Sequence, residues 1–238
     1  MDRDRPRQRD ALDKARAAFR DGDYPAALRH YDYFFDHALD DDPVALYGVR
    51  LSYCLDEWVQ LGEKYPLALK ALIEKKNDAL VLFERSRDPE RFHDFVAISK
   101  NLNAGDEPTH RFMAYHASDR ELAGSIVRFI WDGLISAKQW EVCGSYLADP
   151  CERYDEELRK FDGILETKKA DSTLADEDFD TWLRGKFARN IGNLILVLQG
   201  TARNAEAAIL EDRVAIDAEA RSQNEIIALV QERVAVAL

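Results

Sequence analysis

Apolar side chains recur at the three- and four-residue spacing of an α-helix along most of this 238-residue chain, and this periodicity constrains the fold more than any other feature. The clearest stretch is 119–137, whose apolar positions all fall on one helix face: Leu122, Ile126, Phe129, Ile130, Leu134 and Ala137. The chain has 11 glycines and 7 prolines, too few for the many tight turns of a β-sandwich or barrel. The sequence therefore predicts an all-α protein without strands.

Helix starts are marked by Asp-Pro pairs at 42–43, 88–89 and 149–150. The aspartate caps free backbone N–H groups, and the proline has the φ angle of a first helical residue. Together with the periodicity, these marks predict helices over 8–20, 25–39, 43–62, 66–86, 89–102, 108–116, 119–137, 139–148, 150–170, 176–199 and 202–237.

Two segments near the C-terminus differ from the rest. Residues 187–198 are apolar around nearly the whole helix circumference, which predicts a central, buried helix. The last predicted helix, 202–237, is long and carries a narrow apolar stripe: Ala205, Ile209, Ile216, Ala220, Ile227, Val230 and Val234. This stripe has to be covered, either by the chain's own preceding helix or by a second copy in a homodimer, and the sequence leaves both open.

A short internal sequence repeat, which we call the echo, indicates repeated hairpins. The segment YPAALR at 24–29 recurs 41 residues later as YPLALK at 65–70. Each copy has a small residue, Ala27 or Ala68, that is followed four positions later by a bulky residue. This pattern resembles the tetratricopeptide repeat, in which the small residue lets two antiparallel helices approach closely.

A weaker third copy centres on Trp140, with Cys143 as the small residue and Leu147 as the bulky one. The period of 41 departs from the roughly 34 residues of the tetratricopeptide family. The resemblance covers roughly residues 8–150, and the alternative is an irregular helical bundle with one chance echo.

The resemblance implies a groove that is lined by the first helix of each hairpin and holds a peptide. Matching positions give these groove candidates: Arg9, Arg16, Arg20, Arg50, Tyr53, Glu57, Arg128 and Asp132. Arginines spaced in this way could bind a ligand carboxylate through paired hydrogen bonds. The alternative is that they are solvated charges paired with nearby aspartates, namely Asp13, Asp21 and Asp23.

The predicted architecture is a set of antiparallel helical hairpins, stacked as a short α-solenoid or bundle and closed by the buried helix and the long C-terminal helix. Residues 1–150 form the tetratricopeptide-like hairpin region. Residues 151–238 form a C-terminal region for capping or association, and the two regions make one continuous structural unit.

Charge and cysteine usage limit the partners and the compartment. The chain has 45 acidic and 33 basic side chains, a net charge of -12, which disfavours nucleic acid and favours basic proteins. Cys54, Cys143 and Cys151 lack Cys-x-x-Cys spacing and are expected to be reduced, structural thiols. The charged N-terminal segment is not followed by an apolar stretch, and no apolar run approaches the ~20 residues needed to span a bilayer, so a cytoplasmic protein without membrane contact is expected.

Catalytic patterns are weak. Residues 111–116 (RFMAYH) resemble the R-φ-x-x-x-H motif of HEPN-type ribonucleases, in which the arginine stabilises phosphate charge and the histidine is a general acid or base. That family prefers a polar residue where Phe112 stands, so a histidine that packs between helices is the alternative. His30 and His37 lie about two helical turns apart, too far to share a metal ion without a third ligand.

The sequence therefore favours a non-catalytic protein–protein interaction module, without a cofactor or metal, that acts as an adaptor or scaffold and holds a peptide or protein in a helical groove. One alternative is an acidic inhibitor or immunity-type protein that masks a basic enzyme. The other is a helical ribonuclease that uses Arg111 and His116.

Overall fold

The computed structural model describes residues 8–40, 42, 44–170 and 177–237, and every regular element in these ranges is a helix. The all-α prediction is confirmed. The helices are α1 (Gln8–Arg20), α2 (Tyr24–His37), α3 (Tyr47–Leu51), α4 (Tyr53–Lys64), α5 (Pro66–Ser86), α6 (Pro89–Asn101), α7 (Asp106–Ser118), α8 (Arg120–Ser136), α9 (Trp140–Gly144), α10 (Pro150–Ala170), α11 (Glu177–Gly200), α12 (Asn204–Ala220) and α13 (Glu225–Ala237).

The chain divides into two compact units, residues 1–130 and 131–238, so the division falls within α8 and before the boundary predicted at 150. In the first unit, α1 packs on α2, α4 packs on α5, and α5 packs on α6. In the second unit, α9, α10, α12 and α13 all contact α11.

The small residues of the echo lie where helices approach closely. Ala27 and Ala68 are fully buried. The indole N–H of Trp58 on α4 donates to the carbonyl oxygen of Ala68 on α5 at 2.9 Å. A Cβ atom added to Gly62 would lie 2.9 Å from Cβ of Leu69, so glycine is what lets α4 and α5 come together. The echo thus marks two hairpins, α1–α2 and α4–α5.

The Asp-Pro pairs at 88–89 and 149–150 begin helices as predicted. Asp88 accepts a hydrogen bond from the backbone N–H of Glu90 at 3.0 Å, and Asp149 accepts one from Cys151 at 2.9 Å. The prediction of a single helix over 43–62 is wrong. Pro43 lies outside the described residues, and the segment forms α3 and α4, which are separated at Ser52.

The break at Ser52 has a local cause. Its backbone has φ −124° and ψ −89°, outside the helical region, and its hydroxyl donates to the carbonyl oxygen of Gly48 at 2.7 Å. Serine side chains compete in this way with the helical hydrogen-bond pattern, and glycine is a poor helix former. Helix α9 is likewise only one turn long, whereas the periodicity predicted a helix over 139–148.

The core of the second unit is α11. Residues 191–198 are all buried, which confirms the predicted central helix. The close packing is visible at Gly200, where an added Cβ would lie 2.5 Å from Cγ of Trp140 on α9. Among the cysteines, which are all free thiols, Cys54 and Cys143 are buried and Cys151 is half-buried.

The predicted long C-terminal helix is two helices, α12 and α13. Ser222 has a left-handed backbone with φ 55°, and the N–H groups of Ser222 and Gln223 bond to the carbonyl oxygens of Glu219 and Ala218. This is the hydrogen-bond pattern of a Schellman motif, and Ser222 occupies the left-handed position where glycine is usual.

The break also changes which face of the C-terminal segment is buried. Of the predicted stripe, Ile209 and Ile216 on α12 are 49% and 67% exposed, whereas Val230 on α13 is buried. The buried face of α12 is a different set: Ala207, Leu210, Val214 and Ala218. The stripe prediction is therefore wrong for α12, because it assumed one uninterrupted helical register.

Candidate functional site

Two predicted groove residues, Arg16 on α1 and Glu57 on α4, bind each other. Nε of Arg16 lies 3.0 Å from each carboxylate oxygen of Glu57, and Nη2 lies 2.7 Å from Oε1. The hydroxyl of Tyr31 on α2 donates to the same carboxylate at 3.2 Å. The hydrogen bond with Glu57 raises the pKa of Arg16. Glu57 thus occupies one of the two edges through which the Arg16 guanidinium could pair with a ligand carboxylate.

Arg50 was also predicted to face the groove, and the structure corrects this prediction. Its side chain is 7% exposed, and its two terminal nitrogens lie 2.5 Å and 2.8 Å from the carboxylate of Asp94 on α6, which is equally buried. Its Nε donates to the carbonyl oxygen of Phe35 at 2.6 Å, and its guanidinium carbon lies 3.9 Å from the centre of the Phe35 ring. Arg50 thus joins α2, α3 and α6, because a desolvated guanidinium needs all of these partners.

A second polar group forms where α3, α6 and α8 meet, and we call it the α3–α6–α8 cluster: Tyr47, Glu90, His93, Arg128 and Phe129. The hydroxyl of Tyr47 lies 2.6 Å from Nδ1 of His93 and also bonds to Glu90. Arg128 donates to Glu90 at 3.1 Å, and the rings of His93 and Phe129 stack with centres 4.2 Å apart. The predicted groove arginine Arg128 is therefore also paired with a carboxylate of the chain.

Burial favours a neutral histidine in the α3–α6–α8 cluster. A hydroxyl has one hydrogen, so if Tyr47 donates to Glu90 it accepts from Nδ1–H of His93, and Nε2 is left as an acceptor. Burial lowers the pKa of His93, although Glu90 and Asp94 act in the opposite direction. Burial and Glu90 raise the pKa of Tyr47. The cluster thus covers the Phe129 ring with the imidazole of His93 and with the guanidinium of Arg128, whose carbon lies 4.5 Å from the ring centre.

Sequence analysis missed Tyr47, Glu90 and Phe129. They lie on three different helices, and the hydroxyl of Tyr47 bonds to groups 43 and 46 residues away. The one local signal was the three-residue spacing of Glu90 and His93, which is common on any helix.

The other predicted groove residues have different surroundings. Arg9, Arg20 and Tyr53 are exposed, and Tyr53 is 64% exposed. Asp132 belongs to the second unit, where its carboxylate accepts from the amide nitrogen of Asn193 on α11 at 3.2 Å. The described structure thus brings Arg16 and Glu57 together, and it places Asp132 in a separate unit.

Helix α5 carries a concentration of exposed apolar side chains, which we call the α5 face. Its members are between 37% and 57% exposed: Leu67, Leu69, Ile73, Val81 and Leu82. The same helix buries another apolar set against its neighbours: Ala68, Leu72, Ala79, Leu80 and Phe83. Helix α5 therefore exposes large apolar side chains among the charged ones on its open side, in addition to its buried apolar side.

The predicted ribonuclease pair, Arg111 and His116, lies on α7. A separation of five residues places the two side chains about 140° apart around the helix. His116 contacts Arg120, whose Nη1 lies 2.8 Å from Nδ1, and burial together with Arg120 lowers the pKa of His116. Arg111 is exposed. The ribonuclease function stays a prediction.

Within the described residues, no group of three His, Cys, Asp or Glu side chains could hold a metal ion. None of the described helices combines the length and apolar character that crossing a bilayer requires.

Comparisons of the chain with protein families, with curated proteins and with solved structures found no match. The resemblance to tetratricopeptide repeats therefore rests on the residues of the echo.

Proposed function

We propose that the chain is a non-catalytic protein-interaction module that binds a peptide or protein partner. The α5 face is the observation that carries this proposal. A single exposed leucine is ordinary in a water-soluble protein, but α5 exposes five large apolar side chains along its 21 residues. Of these, Leu69 and Ile73 lie one helical turn apart on the same flank and offer apolar area that a partner can cover.

Apolar contact suits this chain better than binding of an acidic peptide in the predicted groove. Arg16, Arg50 and Arg128 each have a carboxylate partner within the chain, and Arg50 is buried. Arg20 and Tyr53 are exposed, and tyrosine is often a dominant contact in protein interfaces. A role for the groove therefore depends on these two residues and on Arg9, which is also exposed.

The test compares variants of the full chain in capturing partners from an extract of the source cell. We expect that Leu69→Ser with Ile73→Ser abolishes capture of the bound partner. The matched control, Ile209→Ser with Ile216→Ser, removes two exposed isoleucines from the other unit and should retain the partner. Titration calorimetry with the purified partner then measures each affinity.

Two outcomes would contradict the proposal. A partner that the α5 variant binds as tightly as the unchanged chain would show that the α5 face is not the docking surface. A partner lost only by Arg20→Glu with Tyr53→Ala would instead assign binding to the predicted groove.

The net charge of -12 favours a second candidate, an acidic inhibitor that masks a basic enzyme. This candidate predicts that the captured partner is a basic enzyme and that one equivalent of the chain suppresses its activity. An adaptor would leave the activity of its partner unchanged.

A further inference from the structure

The two C-terminal helices enclose an apolar groove on the surface of the second unit. This α12–α13 groove has a volume of about 320 Å³, and its large apolar lining residues are Ile195, Val214, Ile227, Val230 and Val234.

 The neighbouring cleft of about 440 Å³ is a separate feature on the other side of α13, where Asp132, Arg189 and Glu232 contribute polar groups. The α12–α13 groove itself measures about 320 Å³, which is the size of a site that holds one or two large apolar side chains.

The floor and walls of the α12–α13 groove differ in burial. Ile195, Val214 and Val230 are buried and form the floor. Ile227 and Val234 are half-buried, so their side chains are open to an apolar occupant. Three of these groove residues, Ile227, Val230 and Val234, belong to the stripe that the sequence predicted to need a cover.

The surface around the α12–α13 groove is acidic. Residues 204–237 contain seven acidic side chains, three arginines and no lysine. Five of the acidic side chains are exposed on α12 and α13: Glu211, Asp212, Glu219, Glu225 and Glu232. Glu225 is paired with Arg184 on α11, and the other four lie at positions without such an ion pair to another of the described helices. Of these, Glu211 also lines the groove.

The three arginines are used within the unit. Arg213 bonds to Asp155 on α10, and Arg221 binds the carboxylate of Asp162 on α10 at 2.8 Å and 2.9 Å. Arg233 donates to the amide oxygen of Asn193 on α11 at 2.9 Å. Because these cations hold α12 and α13 against α10 and α11, they do little to neutralise the acidic side chains on the open side.

We propose that the α12–α13 groove binds an amphipathic helix of a partner protein, with apolar side chains on the bound face and lysine or arginine beside them. The apolar residues of that helix fill the groove, and its basic residues face Glu211 and the other exposed acidic side chains. This is the helix-in-groove mode of recognition, with charge complementarity selecting the partner and speeding the encounter.

A second copy of the chain is a poorer occupant. A twofold dimer places the same surface patch of both copies against each other. At this surface, that arrangement would bring the exposed acidic side chains of one copy against those of the other, which is unfavourable.

This inference deepens the proposal of partner binding by naming the chemistry of a partner, but it concerns the second unit and does not depend on the α5 face.

The probe is a fluorescent peptide of leucine and lysine, about 18 residues or five helical turns long, with leucines on one face. A peptide with glutamate in place of each lysine is the control. Fluorescence anisotropy with the full chain measures both affinities.

We expect the leucine–lysine peptide to bind and the leucine–glutamate peptide to bind at least about tenfold more weakly. Glu211→Lys should weaken binding of the basic peptide about tenfold, and salt should weaken it further. Glu63→Lys makes the same charge change at an exposed site on α4 of the first unit and should leave the affinity within about twofold.

Apolar variants separate docking in the groove from loose adhesion to an acidic surface. Ile227→Ser removes an apolar wall and should also weaken binding about tenfold. Ala235→Trp is the second variant, because Ala235 is exposed and lines the groove, so that a large side chain fills it without opening the core. Circular dichroism confirms that each variant is folded.

The proposal is overturned if both peptides bind equally, or if folded Ile227→Ser and Ala235→Trp variants bind the basic peptide as tightly as the unchanged chain. A full-length dimer that these variants dissociate in light scattering would assign the groove to a second copy instead. The variant Leu69→Ser with Ile73→Ser should leave peptide binding unchanged, so failure of the α5 proposal and failure of this one are distinguishable.

Discussion

The buried pair of Arg50 and Asp94 gives the sharpest prediction about this protein. An exposed groove arginine could be changed with an effect on stability below about 0.5 kcal/mol. Arg50 instead is buried, and its terminal nitrogens lie 2.5 Å and 2.8 Å from the carboxylate of Asp94. Removing one member of a buried ion pair strands the other charge, which costs about 3–5 kcal/mol.

The two single variants should differ in a way that follows from their remaining partners. Arg50→Met leaves Asp94 with Arg91, whose Nη1 lies 3.4 Å away, so the free energy of unfolding should fall by about 3 kcal/mol, the lower end of that range. Asp94→Leu leaves the Arg50 guanidinium with the carbonyl oxygen and ring of Phe35, so the loss should reach about 3–5 kcal/mol.

The double variant Arg50→Met with Asp94→Leu removes both charges. It loses the hydrogen bond to Phe35, which contributes about 1 kcal/mol, so its stability should lie within about 2 kcal/mol of that of the unchanged chain. The matched control is Arg128→Met, because the ion pair of Arg128 with Glu90 is about half exposed and should contribute less than about 1 kcal/mol.

Urea unfolding followed by circular dichroism measures all four variants. If the free energy of unfolding falls with the same slope against urea concentration in every variant, the extrapolated free energies can be compared. If Arg50→Met and Asp94→Leu each cost less than about 1 kcal/mol, like the Arg128 control, then Arg50 is not the buried link between helices that the structure describes.

Three further predictions follow from packing, titration and chemistry. Gly62→Ala should lower the free energy of unfolding, measured by thermal unfolding, by about 1–3 kcal/mol, because the new Cβ would lie 2.9 Å from a side-chain atom of α5. The control Gly163→Ala has open space around it and should be neutral or stabilising by up to about 1 kcal/mol. Burial lowers the pKa of His93 in the folded chain, so the unfolded chain binds more protons as the pH drops through 6.5. The free energy of unfolding should therefore fall over this pH range, and it should fall less in His93→Gln. Equal losses in the two proteins would contradict the burial of His93. Purified protein should leave single-stranded RNA intact on a gel, and cleavage that disappears in both Arg111→Ala and His116→Ala would favour the ribonuclease function instead.

Local sequence patterns predicted the helices well wherever the signal lay within one helix. The bounds predicted for 66–86 and 150–170 match α5 and α10, since in each case a proline marks the first residue and the apolar spacing continues to the end. The burial of residues 191–198 followed from apolar side chains on every face of the segment. Breaks at residues without a strong helix-breaking signal, such as Ser52 and Ser222, were missed.

The sequence alone determined the helical class of this protein, most helix positions and the central place of α11, because these depend on side chains only a few residues apart. The roles of the charged residues were decided by the tertiary structure. Arg50 and Arg128 had the same predicted role, yet one is buried against Asp94 and the other is about half exposed beside Glu90. Whether a charged side chain is buried, and which group it pairs with, depends on the distant helix that packs against it, and helix packing is a property of the tertiary structure.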